Sequence, residues 1–436
     1  MTGLMRSKKG IALVLTTVVA TVLLGLMNGF LNISTNQTRN VDIFDRRTRA
    51  YYLAGSGLDR AIYWLRAQGA PPVGNTTNPW NNNNAVTSLG GGSYNVTVTD
   101  LGIVGGAGSA TRRYQVSSVG TYGTTTRTLR NYVQADNYAR YLWFTNSETF
   151  GSSNVWFWSL DYLTGEAHTN SHLNIYKNPY FGGAVSSVDD YIKFYNNGSK
   201  VDLNATSNAP YDLPTFVQGM QFGAEATTMP TQALNLRAAA SSGGMALTGN
   251  TTVTLNSNGT MNVTNAAAGY SNTNMTLPAN GALFVNTGTL SVSGALNGRL
   301  TIGASKEVII TSDVTYASDP AVNADSDDVL GIISEDDVVI ASATAPYDLK
   351  VSACIMALNT SFMLENWSTV GPKGTLSVYG GIIQQQRGPV GTFNGSTGTK
   401  LSGYSKNYSY DSRLLSTPPP FMPTTGDYIT LSWEEN

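Results

Sequence analysis

Residues able to do acid–base or nucleophilic chemistry are sparse in this 436-residue chain. Its two histidines, His168 and His172, sit in GEAHTNSHLNIY, and its one cysteine is Cys354. A four-residue spacing brings two imidazoles to one metal only when it is wound on a helix. Asn170, Ser171 and Asn174 make this segment a turn or strand, so no metal site is expected there. Cys354 lies in the strand-like run KVSACIMALN and is expected to act as a small core residue. The sequence contains no Gly-x-Ser-x-Gly turn to present a serine nucleophile. Carboxylates cluster at Asp189-Asp190, Asp327-Asp328 and Glu335-Asp336-Asp337. Such clusters can hold Ca²⁺ beside a basic group in polysaccharide-cleaving sites. Between Gly281 and Gly371, however, the basic residues are Arg299, Lys306 and Lys350, and no compact motif joins them to the acids. The expectation is solvated turn carboxylates, no cofactor and no enzymatic reaction.

The elements that would carry any site begin with a membrane segment. Residues 10 to 38 hold no charge, and the run IALVLTTVVATVLLGLMNGFL spans Ile11 to Leu31, 21 residues. As a helix it measures roughly 31 Å, against a bilayer core of about 30 Å. The run is too long for a secretory signal, and NISTNQTRN after it offers no small-residue cleavage site. Arg6, Lys8 and Lys9 on the short side place the N terminus in the cytoplasm and the remaining chain outside. Gly25 and Gly29 form a small-xxx-small face on which this helix could pack against another.

Beyond the membrane the apolar pattern continues. Phe44, Tyr51, Leu58 and Leu65 recur seven apart with Ala54, Ala61 and Ile62 beside them, one stripe on a helix. Residues 11–67 therefore read as a nearly continuous spine of roughly 85 Å. Gly55 and Gly57 weaken it locally by about 1 kcal/mol each.

Composition frames the rest. Charged residues make up 12% and apolar residues 41%, too apolar for disorder and turn-rich enough for an extracellular all-β protein. Residues 1–70 carry nine Lys/Arg and three Asp/Glu, and the remainder carries 17 and 25. An acidic ectodomain argues against nucleic acid as a partner, while the basic end suits anionic lipid.

After the linker GNTTNPWNNNN, alternating residues in SYNVTVTD, RYQVSSVGTYG and TTTRTLRNYVQ predict a small antiparallel sheet over residues 85–135. Residues 139–280 are β-rich without clear subdivision. From Gly281 to residue 436, short strands such as Leu283–Val285, Leu290–Val292, Leu300–Ile302 and Val308–Ile310 recur every 7 to 10 residues. VLGIIS, DVVIAS, LKVSACIMAL and TLSVYGGIIQ continue the pattern. The absence of helices between them excludes a βαβ fold. A β-helix or solenoid is expected, with a β-sandwich as the alternative. The fold class is thus mixed: a long membrane-spanning helix, a small antiparallel sheet, then a large mainly-β domain.

Several motifs resemble known families. The basic leader of residues 1–10, ending in Gly10 before the apolar Ile11, resembles a type IV prepilin signal. That resemblance implies cleavage between Gly10 and Ile11 by prepilin peptidase. YYLAGSGLDRAIYWLR is similar to the Tyr-x-Ala-Glu-Ala-Gly-Leu-Glu-Arg-Ala segment of minor pilins, with Gly55 and Ser56 departing from it. Most pilins carry Glu where this chain has Leu15. Tip pseudopilins of type II secretion systems also lack it, and their Arg-Gly-Val-Ala-Leu start resembles GIALVL. GEAHTNSHLNIYKNPYFGGAV resembles the Gly-Pro-Val-His-Thr-Asn-Gly segment of large pilin-like bacterial proteins of unassigned function, as do SVSGALNGRLTI, LGIISEDDVVI, SVYGGIIQQQRG and NYSYDSRLLSTPPPFMP. Their shared residues (Gly165, Asn170, Gly380, Asp411, Arg413, Pro419) are turn and core types. The resemblances imply a membrane-anchored, surface-exposed minor pilin-like or pseudopilin-like structural protein on a pilus or pseudopilus. Its partners would be the membrane, other pilin-like subunits, prepilin peptidase and a cell-surface or polysaccharide ligand. A membrane-anchored β-solenoid carbohydrate-active enzyme and a non-pilus solenoid scaffold are the alternatives.

Overall fold

The computed structural model describes residues 4–104, 106, 108–109 and 111–435, with side chains from residue 10 onward. Residues 1–3 of the leader, and the side chains of Arg6, Lys8 and Lys9, lie outside the described set.

Helix α1 (Leu4–Arg66) runs 63 residues without a break. Its two halves meet different surroundings. Every residue from 10 to 45 is exposed, whereas Ala50, Leu53, Ala54, Leu58, Ala61 and Leu65 are buried. These six share one face, as the 3.6-residue period requires. Phe44, expected in that stripe, is 72% exposed because no strand reaches it.

The buried half of α1 packs on an antiparallel sheet of Gly92–Ile103, Arg112–Tyr122 and Thr125–Asn137. Tyr94, Val96, Val98, Tyr114 and Val116 face the helix and alternate with half-buried residues, the pattern of a sheet covered on one side. Past Val116 the alternation puts Ser118 and Gly120 inward and turns Val119 outward. Small side chains are needed there: a Cβ at Gly120 would overlap the backbone of Ala50 and Ala54. The outer strand of the sheet is Thr424–Glu435, which returns from the far end of the chain to pair with Thr125–Asn137.

The large β-rich region is built mainly from parallel ladders, with antiparallel pairs such as Thr251–Asn256 with Thr260–Asn265, and it forms no closed barrel. The longest runs Met245–Thr248, Ala282–Asn286, Arg299–Ala304, Val329–Ser334, then the second halves of Leu349–Ala357 and Pro372–Gln386. It continues into Trp143–Ser147, Ala167–Thr169, Val185–Ser187 and Met220–Gln221. Residues 143–221 thus stack after residue 386 in space, although they precede residue 245 in sequence. A second ladder joins Thr251–Asn256 to residues 290–292, 308–310, Val338–Ile340 and Phe362–Leu364. A third passes from residues 294–296 through 314–316 to Val351, residues 376–380, 406–410, Tyr162–Leu163, Tyr180–Phe181 and Thr215–Phe216.

Aliphatic residues of all three ladders, among them Leu283, Val292, Ile302, Val314, Ile332 and Leu376, form one buried core. The other side of the first ladder is covered as well. Helix α2 (Leu234–Ser241), Tyr138, Tyr141, Leu414 and Met422 pack on Phe284, Ile333, Cys354 and Met356. Residues Val329–Ser334 are therefore buried at all six positions, which explains a continuous apolar run where a one-sided strand would alternate. Each short strand expected between residues 283 and 310 is a strand.

Candidate functional site

On α1, Gly10 and Ile11 lie inside the helix and are solvent-exposed. Leu15 is exposed as well, and among the described residues nothing lies within 4 Å of a Cβ built at Gly25 or Gly29. Where charge returns, Asp42–Arg46 and Asp45–Arg49 pair at 2.8 and 2.9 Å, the acid-first i,i+4 order that favours a helix. Arg49 also lies over the Tyr122 ring at 5.0 Å, tying the spine to the sheet. Among the described residues α1 is the helix long and apolar enough to cross a membrane.

The two histidines of the GEAHTNSHLNIY segment meet hydroxyl, amide and carboxylate partners. His168, in strand Ala167–Thr169, is 4% exposed. Its Nδ1 sits 2.8 Å from Ser186 Oγ and its Nε2 3.0 Å from Asn170 Oδ1. Its ring stacks on Phe144 at 5.3 Å. Burial lowers its pKa, because the imidazolium would lose its hydration. His172 Nδ1 is 2.9 Å from Asp189 Oδ2 and 3.4 Å from Ser171 Oγ. Serine and carboxylate meet the same ring nitrogen, so no proton can pass from one to the other across the imidazole. Among the described residues no group of three or more His, Cys, Asp or Glu is placed to hold a metal.

The acidic clusters fix turns, and two of their members are not solvated as expected. Asp328, 2% exposed, accepts from Gly298 N at 2.6 Å and Ser318 N at 2.9 Å. Glu335, 8% exposed, pairs with Arg237 and accepts from Ala233 N at 2.9 Å, pinning the start of α2. Asp337 accepts from Ser361 N at 2.9 Å. Backbone amides recruit these carboxylates because a buried N–H without a partner is costly. Cys354 is fully buried, and burial raises its thiol pKa.

A different set of groups was not singled out by the sequence. Arg387, Glu148 and Asp161 are buried, and Lys406 nearly so. Arg387 Nη1 donates to Glu148 Oε2 at 2.8 Å and to Val155 O at 3.1 Å, and Nη2 donates to Trp156 O at 3.1 Å. Its guanidinium carbon lies 3.5 Å from the Phe157 ring centroid. Glu148 Oε1 also accepts from Trp143 Nε1 at 3.1 Å and Thr145 Oγ1 at 2.5 Å. Lys406 Nζ stands 2.6 Å from Asp161 Oδ2, and burial pulls its pKa down against that carboxylate.

Beside this quartet opens a cavity of about 320 Å³, lined by Phe150, Trp156, Trp158, Trp367, Phe393 and Tyr404. Trp158 stacks on Phe393 at 5.1 Å, and Phe393 on Tyr176 at 4.8 Å. Trp156 meets Tyr195 edge-on at 5.3 Å. Lys400 and Lys406 reach the wall, with Ser153, Asn154 and Thr392 among its polar residues. The aromatic segments YLWFTNSETF and NVWFWSLDYL were the visible signal. Apart from Trp143–Ser147, their strands are two residues long and gave no period from which a shared wall could be read.

A family model described as a domain of unknown function, DUF4900, matches residues 93–189. No curated protein matches the chain. Among solved structures, the competence-associated pilin ComZ from Thermus thermophilus aligns at 11% identity and a TM-score of 0.34, covering 90% of this chain and 97% of that one.

Proposed function

We propose that this chain is a membrane-tethered structural protein of the minor-pilin or pseudopilin kind, displaying a β-solenoid-like head outside the membrane. The asymmetry of α1 carries the reading: one continuous helix is bare on every side over residues 10–45 and buried on one face from Ala50 to Leu65. A free apolar half of about 30 Å needs a bilayer or a bundle of like helices, and a sheet already covers the other half. Gly25 and Gly29 are open to a neighbouring helix. The basic leader sets the head outside. Three parallel ladders around one aliphatic core support a coiled, solenoid-like head over a sandwich. The head acts in assembly, adhesion or surface binding and catalyses no reaction.

Intact mass of the protein extracted from membranes that contain prepilin peptidase tests this reading. The expected N terminus is Ile11, and Gly10→Leu should leave the leader in place. An unprocessed N terminus in the presence of the peptidase would refute the pilin assignment.

A further inference from the structure

Lysine is scarce in the head: beyond residue 70 the chain has eight, at 177, 193, 200, 306, 350, 373, 400 and 406. Two of them line the aromatic cavity, and three more lie over aromatic rings that form or back its walls. Lys400 and Lys406 line it, and Lys200 lies 5.8 Å from the centroid of Trp156. Lys373 lies 5.5 Å over Tyr404, and Lys177 lies 5.1 Å over Tyr176, which backs the stacked wall at Phe393. Lys373 lies in strand Pro372–Gln386, Lys400 and Lys406 in strand Lys400–Tyr410, and Lys177 and Lys200 in loops.

The acids nearby balance these lysines only in part, Asp161 at Lys406 and Asp348 near Lys400. Asp161 is taken by Lys406 and Glu148 by Arg387. Asp212 accepts from the backbone N–H groups of Lys177 and Asn196 at 2.8 Å each. Lys400 Nζ is held by the carbonyls of Lys373 and Gly374 and by Ser405 Oγ, with no carboxylate among those partners. In a head that carries 17 basic and 25 acidic side chains beyond residue 70, five lysines on or behind the walls of one cavity are a local excess of positive charge. Such an excess raises the local concentration of anions.

We propose that the cavity binds an acidic saccharide, a sugar ring bearing a carboxylate, between its tryptophan walls and its lysine rim. A sugar ring shows apolar C–H faces and a hydroxyl edge, which suits flat aromatic walls interrupted by Ser153, Asn154 and Thr392. A few polar groups set among apolar walls are the usual make-up of a small-ligand site, and about 320 Å³ lies at the small end of that class. Lys400, Lys406 and Lys373 already donate to Gly374 O, Asp161 and Ala345 O, so the carboxylate goes to the ammoniums of Lys177 and Lys200, whose hydrogen bonds to an anion are stronger than neutral ones. This deepens the surface-binding part of the function proposed above, and it needs an exposed head only, neither leader processing nor entry into a filament.

The full chain in nanodiscs of neutral lipid would be titrated with trigalacturonate, maltotriose and benzoate, with tryptophan fluorescence and calorimetry as readouts. Trigalacturonate is expected to bind, with maltotriose and benzoate at least about tenfold weaker. Trp156→Ala and Trp367→Ala should each weaken trigalacturonate by about tenfold or more. The rim change Lys200→Glu should weaken it while leaving the melting curve unchanged, which separates lost binding from lost folding. No binding of trigalacturonate up to about 10 mM, where a millimolar site would be largely filled, overturns the proposal. Equal binding of maltotriose overturns the role of the lysines, and equal binding of benzoate overturns the saccharide class. A protein that is unprocessed yet binds trigalacturonate would refute the pilin reading alone.

Discussion

Arg387 and Glu148 stand 239 residues apart in the chain, and their side chains meet at 2.8 Å with neither exposed to solvent. Lys406 and Asp161, 245 residues apart, meet beside them at 2.6 Å. The first crosses the junction where residues 382–386 stack on Trp143–Ser147, and the second the adjoining one where residues 407–408 stack on Tyr162–Leu163. The seams of the first and third ladders are therefore each closed by an ion pair in addition to backbone hydrogen bonds.

Removing one partner of a fully buried pair strands the other charge away from water, which costs about 3–5 kcal/mol. Arg387→Met should lower unfolding stability by about that amount. Arg387→Met combined with Glu148→Gln should cost less than the two single changes added together, because the stranded charge is gone. Denaturant titration of the four proteins checks this. Strict additivity would show that the pair contributes nothing to the seam.

Gly55 and Gly57 are two residues apart on α1 but have unlike surroundings. Nothing lies within 4 Å of a Cβ at Gly55, whereas one at Gly57 would overlap Ser118 and Val96. Gly55→Ala should raise stability by up to about 1 kcal/mol through helix propensity. Gly57→Val should lower it by about 1–3 kcal/mol by prising the spine off the sheet. Melting curves distinguish the two. A stabilising Gly57→Val would mean that the helix does not lie this close to Ser118.

His168 gives stability a pH dependence of defined sign. Its folded pKa is depressed by burial, so below the unfolded value near 6.5 the unfolded chain binds the extra proton. Stability should fall as pH drops from about 6.5 toward the folded pKa, by no more than about 1.4 kcal/mol per pH unit for one proton. His168→Gln, compared with the parent at pH 7.5 and 5.5, should show a shallower loss. Equal slopes would assign the acid sensitivity to carboxylates.

These particulars show what the sequence discloses. The spine stripe at Ala54, Leu58, Ala61 and Leu65 was legible because a helix buried on one face repeats every 3.6 residues. The strands from 283 to 310 were legible because each is a short aliphatic run between turn residues. The stacking of residues 143–221 onto residue 386 was not legible, since a parallel ladder leaves no local mark of which strand follows which in space. Nor was the return of Thr424–Glu435 to the first sheet. The aromatic cavity escaped for a related reason: its walls come from Trp156, Trp367, Phe393 and Tyr404, which only the three-dimensional stacking brings together.

Leu15 bears on how many copies a filament could hold. Cleavage after Gly10 would leave a charged amine on Ile11, four residues before Leu15 on an exposed apolar helix. Packed among like helices, that amine needs a nearby anion, because an unpaired buried charge costs several kcal/mol. A subunit offering Leu15 supplies none, so repeating it along a filament would bury one unpaired amine at each step. It should therefore be tolerated only at an end, or sparsely, where a neighbour brings a carboxylate. The size of the head acts in the same direction, since more than 300 residues beyond the spine would crowd a helical lattice. Quantitative mass spectrometry of sheared filaments should find this chain well below the major subunit, with terminal or sparse immunogold labelling. Leu15→Glu should raise its share if charge is the limit and leave it unchanged if the head is. Uniform labelling at near-equal stoichiometry would overturn both the charge argument and the crowding argument.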